Sequence, residues 1–272
     1  DPLTVTGVDP RGETTRMLEK RGVKVRPHTP GDAPATGILV IGRAALTGRR
    51  ELPFTAEQIA EGLRVVVFEQ HCPPLGALGF RHEDVGPRRV FARMPDHPIT
   101  RGLAPGALHD WRGSGTLLPD GPRGDRQAVG GRLYHCLSRG TIASDIIATP
   151  EHGPFHALLD CEFDLGFTPL MVWPHGRGEI VFCQLDVTGR VNVEPAATQI
   201  VDQLRDYLAR PPARAQDKTL RCFGEASTEL AAQLGFAASN VEAAEELDPQ
   251  RDVLVVRSAD ADVLGKQRVA VS

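Results

Sequence analysis

GILVIGRAALTGRRELPFTAEQIAEGLRVVVFEQHCPP, residues 37–74, decides the fold. GILVIGRAAL (37–46) is an apolar run with no polar alternation, which marks a strand buried on both faces of a parallel sheet. FTAEQIAEGLR (54–64) reads as a helix. Thr55 is placed to cap it and Gln58 three residues on completes a capping box. RVVVFEQ (64–70) is the next buried strand. Strand, helix and strand in this order predict a right-handed βαβ unit in an open α/β sheet.

The same rhythm extends upstream. LTVTGVDP (3–10) reads as a strand and GETTRMLEKRG (12–22) as an amphipathic helix, with Met17 and Leu18 inward and a stop at Gly22. VKVRPH (23–28) alternates as a second strand. The stretch from about 80 to 165 breaks the rhythm. It is rich in Pro and Gly, carries short strand candidates such as RRVFAR (88–93), and reads as an irregular insertion with extra antiparallel strands. FTPLMVWPHGRGEIVFCQLDV (167–187) then predicts a hairpin around Pro-His-Gly-Arg-Gly. AATQIVDQLRDYLA (196–209) predicts a helix ended by Pro211-Pro212, and residues 211–217 a linker. Beyond it the opening recurs: GEASTELAAQLGF (224–236) parallels GETTRMLEKRGVK (12–24), and DVLVVRSADA (252–261) parallels GILVIGRAAL. The expected organisation is an α/β domain over 1–210, the linker, and the first part of a second similar domain over 218–272.

Composition narrows the function. At 272 residues, 41% hydrophobic and 24% charged, the chain is that of a globular protein. A net charge of −4 gives none of the basic excess that a phosphate-tracking surface carries, so no nucleic-acid partner is expected. No run approaches the ~20 apolar residues of a membrane span. Five cysteines without a CxxC support neither a zinc knuckle nor a disulfide framework, and Cys161, Cys183 and Cys222 sit in apolar runs as core residues. Glycines 42, 48, 176 and 178 form no G-x-G-x-x-G, and no G-x-x-x-x-G-K occurs, so no cofactor is expected. The chain opens DPLTVTG without an initiator Met and stops at VAVS just after a strand. Both ends are expected to be cuts within a longer polypeptide.

GRGEIVFCQLDVTGR (176–190), together with LLDCEFDLGFTPLMVW, DHPITRGL and HDWRGSGTLLP, resembles the class I glutamine amidotransferase-like domains embedded in large bacterial glycoside hydrolases, which are related to the β-galactosidase trimerisation domain. The resemblance covers roughly residues 1–210. It implies a flavodoxin-like fold, a non-catalytic role, and glycoside cleavage in another domain of the same polypeptide. The residues agree with the absence of catalysis. An amidotransferase needs its thiol on a tight glycine-flanked elbow, with backbone N–H groups forming an oxyanion hole. Here the elbow position is Glu69-Gln70-His71-Cys72, and Pro73 and Pro74 remove two donors. The position where the family places its histidine carries Asp186 and Thr188 instead.

The sequence therefore supports a structural, interdomain or oligomerisation module of a glycoside hydrolase. Its partners would be other domains of its own chain, a second copy or a carbohydrate. Two alternatives stand beside it. Trp111, with Asp110 and Arg112 in HDWRG, forms a sugar-stacking loop or else a tryptophan plug. Cys72 serves a cysteine-dependent amidotransferase-like hydrolase or else is an inert thiol. Asp160, Glu162 and Asp164 in DCEFD would share one strand face, as a calcium or acid/base row or as a wet edge. His152, His156 and Cys161, with His135-Cys136, have loosely ligand-like spacing, but a fourth ligand is missing. Free cysteines favour the cytoplasm and polysaccharide breakdown favours export, so the compartment stays open.

Overall fold

Strand β4 (Leu63–Val67) is buried along its whole length, and so is β10 (Gly178–Cys183), which pairs with it in parallel. The computed structural model describes residues 2–29, 36–71, 73–83, 85–117, 140–162, 164–210, 219–233, 239–242, 247 and 252–256. Around β4 the order is β2 (Lys24–Pro27), β1 (Thr4–Val8), β3 (Gly37–Ile41), β4, β10, all parallel. This is the 2-1-3-4-5 order of a flavodoxin-like sheet, with β10 as the fifth strand.

The helices lie on both faces, and strand alternation decides which. Val5, Val40, Val66 and Val181 pack with Met17 and Leu18 of α1 (Glu13–Glu19) and with Ile200, Val201, Leu204 and Leu208 of α3 (Pro195–Ala209). Their neighbours Leu39, Ile41, Val65, Val67, Ile180 and Phe182 pack on the other face with Ile59 of α2 (Ala56–Ala60). The expected capping box of α2 is formed. Gln58 N donates to Thr55 Oγ1 at 3.4 Å, and Thr55 N donates to Gln58 Oε1 at 2.9 Å. The helix itself is a single turn and a half, far shorter than 54–64, because Gly62 leaves it at φ +122° and the chain enters β4 at Leu63.

Between β4 and β10 the chain makes the excursion that the Pro/Gly-rich composition predicts. Its strands β5 (His82–Glu83), β6 (Val90–Ala92), β7 (Ile146–Ala148), β8 (His156–Cys161) and β9 (Phe167–His175) extend the same sheet by antiparallel pairing. The hairpin β9–β10 turns at Gly176-Arg177, and the two flanking glycines have a steric cause. Gly176 sits at φ +59°, and a Cβ on Gly178 would run into the carbonyl oxygens of Leu63 and Ile59. Trp173 is a packing residue: it stacks with Phe155 and meets the edge of Phe80 at 5.2 Å.

The amino end of the parallel strands is locked by a buried ion pair. Arg64 on β4 donates to Glu179 on β10 from Nε at 2.8 Å and Nη2 at 2.6 Å, and its Nη1 reaches the carbonyls of Leu208 and Arg210. Tyr207 Oη donates to the second Glu179 oxygen at 2.6 Å. One guanidinium thus fixes two strands and the end of α3.

Residues 1–212 form one compact unit and 213–272 a second. In the second, β11 (Thr219–Phe223) is flanked in parallel by β12 (Ser239–Val241) and β13 (Asp252–Val256), with α4 (Glu225–Gln233) after β11. The order β12-β11-β13 repeats β2-β1-β3 of the first unit.

Candidate functional site

At the carboxyl ends of β4 and β10, apolar strands give way to polar residues: Glu69 and Gln70 after the first, Gln184, Asp186 and Thr188 after the second. Parallel pairing sets these ends side by side, so the elbow position and the partner position are joined. Gln70 N donates to Gln184 Oε1 at 2.9 Å, and Thr188 N donates to Glu69 Oε1 at 2.8 Å. His71 follows, half-buried. Cys72 lies outside the described residues.

Gln70 and Asp186 of this polar crest are saturated from within, while the buried Gln184 Nε2 has no hydrogen-bond partner among the described residues. The Gln70 side chain accepts from Leu46 N at 2.9 Å and donates to the carbonyls of Gly42 and Phe68 at 2.8 and 2.7 Å. Its backbone carbonyl accepts from Ser144 Oγ at 2.8 Å. Asp186 accepts from Thr116 N at 2.7 Å, from the Thr116 hydroxyl, and from Arg190 Nε at 3.0 Å. Arg190 in turn donates to the Arg112 carbonyl at 3.0 Å and lies over the Trp111 ring. Both residues pin the chain that arrives from the excursion.

Glu69 is different. It is fully buried, and its Oε2 has no hydrogen-bond partner among the described residues. Burial first, and the Asp186 carboxylate second, push its pKa up to about 8, against the opposing pull of Arg43. At neutral pH it is mostly the neutral acid.

HDWRG is a plug. Trp111 is 1% exposed and donates from Nε1 to the Ala107 carbonyl at 2.9 Å, so no ring face is offered to a sugar. Asp110 sits at φ 45° and pairs with Arg88 at 2.7 Å on the surface, and Arg112 N faces Glu194. Of the two alternatives for HDWRG, the burial of Trp111 fits the plug, while Asp110 and Arg112 stay exposed beside it.

The row expected in DCEFD is broken. Asp160 lies in β8, nearly buried and paired with Arg93 at 3.3 Å. Glu162 has left the strand at φ 68°, and Asp164 turns back to accept from Gly166 N. A positive φ takes Glu162 out of the strand's alternation, so the three carboxylates share no face. His156 and Cys161 stand at opposite ends of β8, roughly 16 Å apart at strand rise. Burial also pushes the Cys161 thiol up. His135 and Cys136 lie outside the described residues, among which no cluster of metal-ligating side chains occurs.

A histidine that the sequence reading passed over lies beside the crest. His82 Nδ1 is 3.0 Å from the carboxylate of the fully buried Asp145, and the neighbouring Ser144 holds the Gln70 carbonyl. The pair is invisible in sequence because 62 residues of excursion separate its members.

No family model matches the chain, and no curated protein matches it. The solved structure of a cytoplasmic protein from Salmonella typhimurium is similar over 76% of this chain and 98% of its own, at 9% identity and a TM-score of 0.44.

Proposed function

We propose that the chain is a non-catalytic α/β module of a multidomain glycoside hydrolase, bracing a catalytic domain or building a subunit contact. Hydrolysis itself would rest on carboxylates elsewhere in the polypeptide. The observation that supports this reading is the internal saturation of the crest: Gln70 and Asp186 give their hydrogen-bonding groups to the protein's own backbone and side chains. The sequence adds that no histidine follows His175, so the ends of β10 and α3 offer no imidazole base. The test is threefold: ammonia release from glutamine, release of sugar from oligosaccharides, and the intact mass of the natural polypeptide. The expected outcome is no turnover in either assay and a mass well above 29.4 kDa. A natural polypeptide of that mass removes the multidomain reading.

One observation favours a second reading, a cysteine-dependent hydrolase at Cys72. Asp145 holds His82 by one ring nitrogen, as an orienting carboxylate holds a base, and Ser144 ties this pair to Gln70, two positions before Cys72 in the chain. Iodoacetamide labelling decides between the two. Under the first reading Cys72 reacts no faster than an ordinary exposed thiol and His82→Gln leaves the rate unchanged. Under the second it reacts faster and His82→Gln abolishes the excess.

A further inference from the structure

Arg43 is a buried cation with an unpartnered nitrogen among the described residues. It stands two residues after the end of β3, its side chain is 8% exposed, and its buried Nε has no hydrogen-bond partner among the described residues. Its ion-pair partner among the described residues is Glu13, with Nε 3.4 Å from Oε2 and outside hydrogen-bonding geometry. A buried guanidinium N–H without an acceptor is costly.

Arg43 lines a groove of about 330 Å³ at the carboxyl ends of the parallel strands. Thr188 and Gly189 after β10 form another wall, and α1 supplies Glu13, Arg16, Lys20 and the neighbouring Arg21. The Thr188 hydroxyl meets that of Thr14 at 3.3 Å, and Thr14 accepts from the Arg43 backbone N–H at 2.8 Å, so the walls are tied together. The place is also the one topology favours. From β1 the chain crosses to β2 on one side, while β3 lies on the other, and ligands of open α/β sheets bind in the crevice at such a switch point.

The charge in the groove defines the ligand. Arg21 is matched by Asp202 at 3.0 Å and Arg43 loosely by Glu13. Arg16 and Lys20, one turn apart on the exposed side of α1, have no carboxylate partner among the described residues and remain as two uncompensated cations. The α1 amide groups are not the attraction, since Asp9 already takes the Thr15 N–H at 2.7 Å. A planar fork at the floor and two flexible cations at the rim fit a dianion with a small organic body.

We propose that this groove binds a small phosphomonoester, with Arg43 forking onto the phosphate and Arg16 and Lys20 closing over it. The test is calorimetric titration of the 272-residue chain with inorganic phosphate, set against sodium chloride at equal ionic strength, and then with glycerol 1-phosphate. Saturable binding at one site is expected for phosphate, and displacement of it by glycerol 1-phosphate. Arg43→Met should weaken binding by about tenfold or more. Arg16→Gln with Lys20→Gln, both exposed and harmless to folding, should weaken it several-fold and flatten its salt dependence. Heat that chloride reproduces, failure of glycerol 1-phosphate to displace phosphate, or full affinity in the α1 double variant would each overturn the proposal.

Discussion

The two halves of the large sheet are built on opposite logic. In the parallel half each strand has a neighbour and a helix layer, so β4 and β10 are buried at every position. In the antiparallel half β8 and β9 hold five-residue buried runs, but β5 and β6 are two and three residues long, and β6 buries only Val90. There the chain is held by long-range anchors instead: Trp111 in its pocket, Thr116 and Arg190 on Asp186, and β9 against three different strands. Continuous burial makes a half self-sufficient, and point anchors make the other half dependent on it.

That contrast is broken or sharpened by substitution. The largest effects are expected for Arg64→Ala, which strands Glu179 in the parallel half, and Trp111→Ala, which empties the main anchor of the other. Each should cost about 3–5 kcal/mol in urea unfolding. If the antiparallel half depends on the parallel one, Trp111→Ala leaves far-ultraviolet signal from the helices while loosening the excursion. Arg64→Ala should collapse both in one transition.

Next is Glu69→Gln, read against pH. Glu69 is raised to about 8 when folded and titrates near its ordinary value of 4.5 when unfolded. The native protein therefore holds a proton that the unfolded chain gives up, and stability falls as pH rises from about 4.5 to about 8, then levels. Glu69→Gln should flatten that slope and be the more stable protein at pH 8, while matching wild type near pH 4.5. Thermal unfolding across this range checks it.

Gly178→Ala, at the seam between the halves, should cost about 1–3 kcal/mol by forcing the hairpin away from Leu63 and Ile59. Asp110→Asn removes only a surface pair with Arg88 and keeps a residue that tolerates its positive φ. Its effect on denaturant midpoint should lie within about 0.5 kcal/mol.

The same contrast explains what could be read from the residues. Apolar runs, the Thr55–Gln58 box and the Gly-Arg-Gly turn act locally, so an open α/β sheet with a late hairpin was legible before any coordinates, and the family resemblance implied that it is flavodoxin-like. The Arg64–Glu179 and His82–Asp145 pairs join residues far apart in the chain, and no local pattern announces them. Asp160, Glu162 and Asp164 misled because alternation presumes an unbroken strand, and Glu162 leaves it. The crest had a signal: Glu69-Gln70 and Gln184 each follow a strand that ends in an apolar run, where a buried polar residue needs a specific partner. Read together, those strand ends would have pointed to each other.

The position of β10 has a consequence for how the molecule is made. Its parallel neighbour β4 ends at Val67, yet β10 begins only at Gly178. The sheet's most buried contact must therefore wait for a loop of roughly a hundred residues to close, and contacts of such separation slow folding. Until then β4 carries a bare Leu-Arg-Val-Val-Val edge, an invitation to other chains. Synthesis from the amino end exposes that edge for the whole interval, so yield of soluble protein should rise when that interval is short and crowding by sister chains is low.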